Sequence, residues 1–328
     1  MRRRDFIKVI TGSAVAWPLA AHALDERMRR VGILMAYAKG TTEYDSYIDA
    51  LRQELAKLGW IEGRTIIFDE RWTTDNMALV RANAASLLAS NPDVVVATGG
   101  RVIPVLLQIS HTVPIVAPGA SDPVGVGWVT NLARPGGNLT GFTSFELSFL
   151  TKTLETLKRI ALTVVRVALI YNPDNPNSVF YRRTFENAAS PLAIEPIAGP
   201  IHGFADIDHT LAELSERQNA GVFFAPDLTV NALRNEIVAL VARRGLPAIY
   251  TDAIFVKSGG LVSYGIDRLE LFQRAAGYVD RILRGEKPGD LPFQQPTKYL
   301  LSLNLKTAKA LGLIIPQSIL ATADEVVE

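Results

Sequence analysis

The chain has 328 residues, 48% of them hydrophobic, and its 34 basic and 33 acidic side chains nearly balance. A surface with so little net charge lacks the positive electrostatic field that attracts nucleic acid. We therefore expect no nucleic-acid partner. No cysteine is present, which excludes disulfides, thiolate nucleophiles, cysteine-based zinc sites and a lipid-modified cysteine. This length exceeds what one hydrophobic core usually organises and favours two domains.

The first 23 residues are typical of an export signal. Paired arginines in Arg3-Arg4-Asp5-Phe6-Ile7-Lys8 precede a short apolar run, and Ala21-His22-Ala23 supplies a small-x-small cleavage pattern. The run is too short and too weakly apolar to span a bilayer core of about 30 Å. The arginine motif resembles a twin-arginine signal, and a general secretory signal is the alternative. Residues 1–23 are therefore predicted to be a signal peptide, and the mature chain a soluble protein exported to the periplasm.

From residue 30 onward, short β-branched runs alternate with helical patterns, which predicts βαβ units around a parallel sheet. A pattern resembling a capping box at Thr42-x-x-Asp45 opens the first helix, and Gly59 ends it. A second helix is predicted over 76–90. The strand patterns of this first half cover 31–36, 65–68, 94–97 and 114–117.

The second half of the chain repeats this plan and then continues beyond it. Strands are predicted at 165–171, 193–196, 221–224 and 247–250, and helices at 178–189, 207–217 and 230–243. A further strand at 261–264, a helix from Asp267 to Leu283, a late strand at 299–303 and a short helix at 305–311 follow. The sequence therefore predicts an α/β fold with two similar doubly wound parallel-sheet lobes, and a chain that crosses back between them.

The common catalytic and cofactor motifs are absent from the sequence. There is no phosphate-binding GxxxxGK[ST] loop, no HExxH and no GxSxG elbow. His111, His202 and His209 show no ligand spacing, and Gly99-Gly100 and Gly125-Val126-Gly127 complete no dinucleotide fingerprint. We therefore expect no cofactor, no metal and no enzymatic activity.

In doubly wound sheets, ligands bind beyond the carboxyl ends of the strands, so the loops that follow the strands supply the candidate ligand-binding residues. Their tyrosines, hydroxyls, amides and carboxylates suit a small polar or aromatic molecule. Candidates from the first half are Tyr37, Gly99, Gly100, Arg101, Ser121 and Asp122. Candidates from the second half are Asn172, Asn177, Asp227, Tyr250, Asp252 and Tyr264.

Several of these candidates have a structural alternative. Asp122 precedes a proline and can simply cap its own turn. The three tyrosines can be packing residues at the rim instead of stacking platforms. Arg101 can pair with a ligand carboxylate through its planar fork or cover a helix end in solvent. For Gly99 and Gly100, a tight turn and amides that face the ligand are compatible with each other.

Four segments carry a resemblance to a known family. They are Ser121–Gly127 continuing through Leu132–Gly141, Gly259–Gly265, Tyr278–Gly285 and Asn304–Gly312. Together they resemble the ABC-transporter substrate-binding proteins, a family that includes tryptophan- and tyrosine-type binders, over essentially the whole mature chain. The resemblance implies a type I periplasmic binding-protein fold, whose two lobes are joined by three hinge crossings, near 141–146, 262–267 and 288–294.

On that pattern, lobe 1 is predicted to comprise residues 24–143 plus 264–291, and lobe 2 residues 144–263 plus 292–328. The implied function is reversible capture of a small-molecule ligand, an amino acid or an aromatic carboxylate, for an ABC permease and its ATPase, by a monomer. Two alternatives stay open. One is a ligand sensor for a membrane receptor, and the other is an exported enzyme with Asp122 or Asp227 as general base.

Overall fold

The computed structural model describes residues 27–144 and 147–328. The predicted signal peptide at 1–23 lies outside the described residues. Two separate β-sheets organise the described chain, one built from its first part and one from its later part. In the part of the chain that the structure covers, no helix has both the length and the apolar character needed to cross a membrane.

Five parallel strands form the first sheet, in the spatial order second, first, third, fourth and fifth. Successive side chains of a strand point to opposite faces of the sheet, and both faces of the first strand are buried from Val31 onward. Ile33 belongs to the core on one face and Leu34 to the core on the other. The strands are β1 (Arg29–Met35), β2 (Ile66–Trp72), β3 (Val94–Ala97), β4 (Ile115–Ala120) and β5 (Leu139–Thr143).

Seven strands form the second sheet. They are β6 (Arg166–Tyr171), β7 (Glu195–Pro200), β8 (Ala220–Phe224), β9 (Ala248–Tyr250), β10 (Val262–Ile266), β11 (Tyr299–Asn304) and β12 (Glu325–Val327). Their spatial order is β12-β11-β10-β9-β8-β6-β7, and only the β10–β11 pair is antiparallel. The antiparallel pair arises because the chain leaves the sheet after β10 and returns from the other sheet through β11.

Helices cover both faces of each sheet, as in a doubly wound fold. In chain order they are α1 (Thr42–Lys57), α2 (Met77–Ala89), α3 (Ile103–Ile109), α4 (Leu147–Ile160), α5 (Ser178–Ala189), α6 (Phe204–Ser215), α7 (Leu228–Ala232), α8 (Arg234–Arg243), α9 (Ala253–Lys257), α10 (Arg268–Leu283), α11 (Leu305–Ala310) and α12 (Gln317–Leu320). Short 3₁₀ turns lie at Ser190–Leu192 and Pro288–Asp290.

We call the first sheet with α1, α2, α3 and α10 lobe 1, and the second sheet with the remaining helices lobe 2. The assignment of α10 follows from its packing, since it contacts α1 and strands β3, β4 and β5. Asp267 begins this helix as predicted, with its carboxylate accepting a hydrogen bond from the Glu270 amide at 3.1 Å. Phe272, Ala276 and Val279 of the helix are buried in the core of lobe 1.

The chain passes between the lobes three times, after β5, after β10 and after Gln294. Two of these passages lie later than the sequence pattern indicates. Residues 264–266, predicted for lobe 1, pair within the second sheet as the end of β10. Phe293 and Gln294, predicted for lobe 2, donate backbone hydrogen bonds to the carbonyls of Leu132 and Gly141 in lobe 1. Turn residues in the sequence indicate the positions of the crossings only approximately. The pairing of the strands in the structure defines where each crossing begins and ends.

Candidate functional site

The carboxyl ends of the two sheets face each other, and a cavity of about 40 Å³ lies between them. This volume holds only a few water molecules, so the lobes must separate to admit a larger ligand. Both lobes supply its walls. The lining residues are Ala36, Tyr37, Gly99, Gly100, Arg101, Gly119, Ser121, Ser144, Asn175, Tyr181, Pro226, Asp227, Leu228, Asn231 and Arg268.

Direct hydrogen bonds join the two lobes beside this cavity. The Ser121 hydroxyl of lobe 1 lies 2.7 Å from the Tyr181 hydroxyl of lobe 2. The Asp122 amide donates to Asn177 Oδ1 at 3.2 Å. The backbone at Gly100 comes equally close, since a Cβ placed on it would lie 2.8 Å from the side chains of Asn175 and Asn177. The structure is therefore that of closed lobes.

A buried polar network supports the lobe 2 wall. Asp227 caps α7, and its Oδ1 accepts hydrogen bonds from the Thr229 amide at 2.9 Å and Asn172 Nδ2 at 3.3 Å. Its Oδ2 accepts from Asn175 Nδ2 at 3.0 Å. Asn175 Oδ1 in turn accepts from the Asn177 amide at 3.0 Å. The network fixes the side chains that meet lobe 1 across the cleft.

Asp227→Ala should lower the free energy of unfolding by about 1–3 kcal/mol, because it leaves α7 uncapped and takes one acceptor from each of two buried side-chain amides, those of Asn172 and Asn175. Thermal unfolding followed by circular dichroism measures the change. The matched control is Asp174→Ala, which removes a carboxylate whose side chain is 62% exposed and should change stability by less than about 0.5 kcal/mol. Equal stability of the two variants would contradict this role of Asp227.

Among the lobe 1 residues that line the cavity, Tyr37 is aromatic, and further aromatic rings pack behind it. The rings of Tyr37 and Tyr44 stack with centroids 3.9 Å apart, and Tyr47 stacks on Phe272 of α10. Burial raises the pKa of Tyr37, and the nearby positive charge of Arg268 opposes that rise. Tyr37 is therefore a neutral phenol at physiological pH, with both aromatic and hydrogen-bonding character.

Arg268 is the cation at the base of the cleft. Its Nε donates to Asp252 Oδ2 at 3.0 Å, and Asp252 Oδ1 accepts from the Ile254 amide at the start of α9. Burial acts to lower the pKa of Arg268, whereas Tyr37 and Asp252 act to raise it, and the net shift is upward. The guanidinium therefore keeps its charge in this buried position.

The sequence profile of the ABC transporter substrate binding proteins matches residues 41–327, which is most of the chain. This chain belongs to that family. The match confirms the family resemblance of the four sequence segments. The proteins of this family are substrate-binding proteins of ABC transporters.

Individual relatives of this substrate-binding protein agree with the family. A tyrosine-binding protein of Clostridioides difficile is 26% identical over 256 residues, which cover 78% of this chain and 73% of that protein. A Streptococcus pneumoniae domain solved with L-Trp has a TM-score of 0.84 at 22% identity, covering 92% of this chain and 100% of that one. A conserved domain protein of Vibrio cholerae has the same TM-score and coverages at 25% identity. The two-lobed type I periplasmic binding-protein fold is thereby confirmed.

Six residues predicted for the ligand site line the cavity of this substrate-binding protein. They come from loops after strands of both sheets, as expected for a doubly wound fold. Arg101 is half-buried on the wall, which fits the ligand-facing alternative better than a purely solvent-exposed helix end. The six are Tyr37, Gly99, Gly100, Arg101, Ser121 and Asp227.

Four other predicted residues lie directly behind the cavity wall or at the hinge. The Asp122 carboxylate accepts from the Gly125 amide at 2.9 Å, so its side chain caps a turn and its backbone contacts lobe 2. Asn172 and Asn177 are buried in the network around Asp227. Asp252 holds Arg268 in place.

The structure places Tyr250 and Tyr264 inside lobe 2 rather than on the cavity wall. Tyr250 is fully buried with its ring stacked on Phe224 and Phe255. Tyr264 stacks on Phe149 and Tyr299. The direction in which each side chain leaves its strand decides this placement, and closeness to a strand end does not reveal that direction.

Sequence reasoning missed five polar residues of the wall, namely Ser144, Asn175, Tyr181, Asn231 and Arg268. Tyr181 lies one helical turn after Asn177, so the periodicity of α5 offers a signal for it. Arg268 carries a different signal, because it is a cation in the first turn of a helix, where the helix dipole disfavours positive charge. Across the described ranges, no cluster of three or more histidine or carboxylate side chains forms a metal site.

Proposed function

We propose that this chain is the periplasmic solute-binding component of an ABC importer, which closes its two lobes on an amino acid or an aromatic carboxylate. Its partners are then an ABC permease and the ATPase of that permease, and residues 1–23 direct its export. The cleft supports this proposal most directly, because both lobes line one cavity and hydrogen-bond to each other beside it. A ligand that adds contacts to both lobes shifts the population toward closure.

The chemistry of the walls supports the ligand class. Tyr37 and Tyr181 offer aromatic surface and hydroxyls, and Arg101 and Arg268 offer donors for a carboxylate. Asp227 supplies negative charge for an ammonium group. The tyrosine named for the curated relative and the L-Trp named for the solved structure fall within this class.

Binding without turnover agrees with the state of the carboxylates. Asp122 is engaged by the amide of its own turn, and Asp227 by three donors of lobe 2. A general base must lie within hydrogen-bond reach of the proton that it abstracts. Asp122 caps its own turn and does not line the cavity, and Asp227 caps α7, so we propose that the bound molecule is released chemically unchanged.

A thermal-shift screen over the twenty amino acids and a set of aromatic acids tests the proposal. A ligand at a hundredfold excess over its Kd should stabilise the protein by about 2.7 kcal/mol, which shows as a raised unfolding temperature. Mass spectrometry of the recovered ligand should find it unaltered. Absence of a shift with every compound would refute the ligand class, and conversion of the ligand would refute the proposal of a binding protein.

A further inference from the structure

Arg268 occupies a junction between the two lobes. It is the first residue of α10, directly after the crossing from β10, and it lines both the cleft cavity and a groove on the outer side of the hinge. Its side chain is only 14% exposed. A charged group is rarely buried this far unless it is paired or has a ligand to bind.

The hydrogen bonds of Arg268 are incomplete within the protein. A guanidinium has five N–H donors, of which Nε supplies one. The Nε donor is used by Asp252 at 3.0 Å. Among the described residues, no other acceptor bonds to Arg268, and neither Nη atom is sealed from solvent. The Nη side of the fork is therefore available to a molecule in the cavity.

The position of Arg268 also requires a nearby anion. A cation in the first turn of a helix opposes the helix dipole. Asp252 supplies one carboxylate, which bonds to Nε and to the start of α9 and leaves the Nη side of the guanidinium to the cavity. Arg268 Nη1 lies 3.7 Å from the place of a Cβ on Gly119, at the end of β4, so the guanidinium reaches the strand ends where ligands bind.

We infer that Arg268 is the anion subsite of the cleft, and that its two Nη groups bind a carboxylate of the ligand while Asp252 orients the guanidinium through Nε. The inference rests on the proposed function and adds a position and a ligand group to it. Asp252 follows β9 of lobe 2, Tyr37 follows β1 of lobe 1, and Arg268 begins α10 directly after the crossing between the lobes. A carboxylate at this point therefore contacts the elements that closure brings together.

Acetate tests the subsite without knowledge of the natural ligand, since it is small and carries only the carboxylate. With ¹⁵N-labelled arginine, the Nε–H signal of Arg268, identified by its absence from Arg268→Gln, should move and saturate as sodium acetate is added to the full chain. Sodium chloride at the same ionic strength should not move it. An identical response to both salts would overturn the inference.

Matched pairs of acid and amide test the same subsite in a larger ligand. L-phenylalanine with L-phenylalaninamide and benzoate with benzamide are compared by calorimetry. Each compound that binds should bind at least about 30-fold more tightly than its amide. The double variant Arg268→Gln with Asp252→Asn removes both charges together, so no buried carboxylate is left without its ion-pair partner. This variant should lose the preference for acids over amides. Arg268→Lys keeps the positive charge but lacks the two Nη donors of the guanidinium, so it should retain part of the preference for acids.

Arg281→Gln is the control, because Arg281 lies on the same helix and pairs with Glu286 away from the cavity. It should keep the full preference for acids. Retention of that preference by the double variant would overturn the inference and leave the proposed function standing. An acetate response at Arg268 without binding of any acid in the screen would keep the inference and refute the proposed ligand class.

Discussion

Replacing Gly100 with valine is expected to weaken ligand binding about 10- to 100-fold with little change in the stability of either lobe. The three atoms nearest to a Cβ at this position all belong to Asn175 and Asn177 of the opposite lobe, the first two at 2.8 Å. The side chain therefore collides only when the lobes close. An overlap that costs about 1–3 kcal/mol favours the open form, and the apparent affinity falls with the closed fraction.

The absence of cysteine makes this closure measurable with site-specific labels. Val124 in lobe 1 and Val179 in lobe 2 are exposed, at 39% and 72%, and cysteines placed there accept spin labels. Pulsed dipolar spectroscopy should show a short inter-lobe distance in the otherwise native chain and a longer one with Gly100→Val. Gly137→Val is the control, because no atom lies within 4 Å of its Cβ. Matching distance distributions for the Gly100 variant and the control would contradict the prediction.

Replacing Gly141 with alanine is expected to lower the free energy of unfolding of lobe 1 by about 3–5 kcal/mol. Gly141 lies in β5 with a φ of +145°, a backbone angle that residues other than glycine rarely adopt. It pairs with Ala117 of β4, and a Cβ would lie 2.2 Å from the Ala117 carbonyl oxygen. The hydrogen-bonded backbone of the β4–β5 pair cannot move aside as a flexible side chain does, so the backbone strain and the steric overlap add.

Tryptophan fluorescence during urea unfolding reports this loss selectively. The tryptophans of the described chain, Trp60, Trp72 and Trp128, all lie in lobe 1. The Gly141→Ala midpoint should fall well below that of the native chain. Gly137→Ala, just before β5, should stay within about 0.5 kcal/mol of the native midpoint stability, since a Cβ at Gly137 meets open space. Similar midpoints for the two variants would show that β4 and β5 tolerate a side chain at this contact.

The strand and helix pattern was predictable because it depends on local spacing. The predicted strand at 94–97 matches β3, and the predicted strand at 299–303 matches β11 to within one residue. The helix predicted over 230–243 instead divides into α7 and α8 at Leu233. The short strand β12 was missed, because three residues form a strand there only through their pairing with β11.

The candidate site was predictable only as a set of loops. The rule that ligands bind beyond strand ends selected Gly99, Gly100, Ser121 and Asp227, which line the cavity. It does not say which side chain of a loop turns inward, and Tyr250 turns into the core of lobe 2 instead. Nor does it assign Asp122, whose carboxylate is satisfied three residues away within its own turn.

The sequence by itself determined the α/β class, the two lobes, the family and the loops that face the cleft, because these follow from local periodicity and from extended motifs. Only the tertiary structure decided that Gly100 abuts Asn175 and that Ser121 meets Tyr181. Only the tertiary structure reveals that Arg268 lines the cavity while one of its N–H donors, that of Nε, bonds to Asp252. These contacts join residues far apart in the chain, and their distances depend on how two separately folded lobes are oriented, which no local pattern encodes.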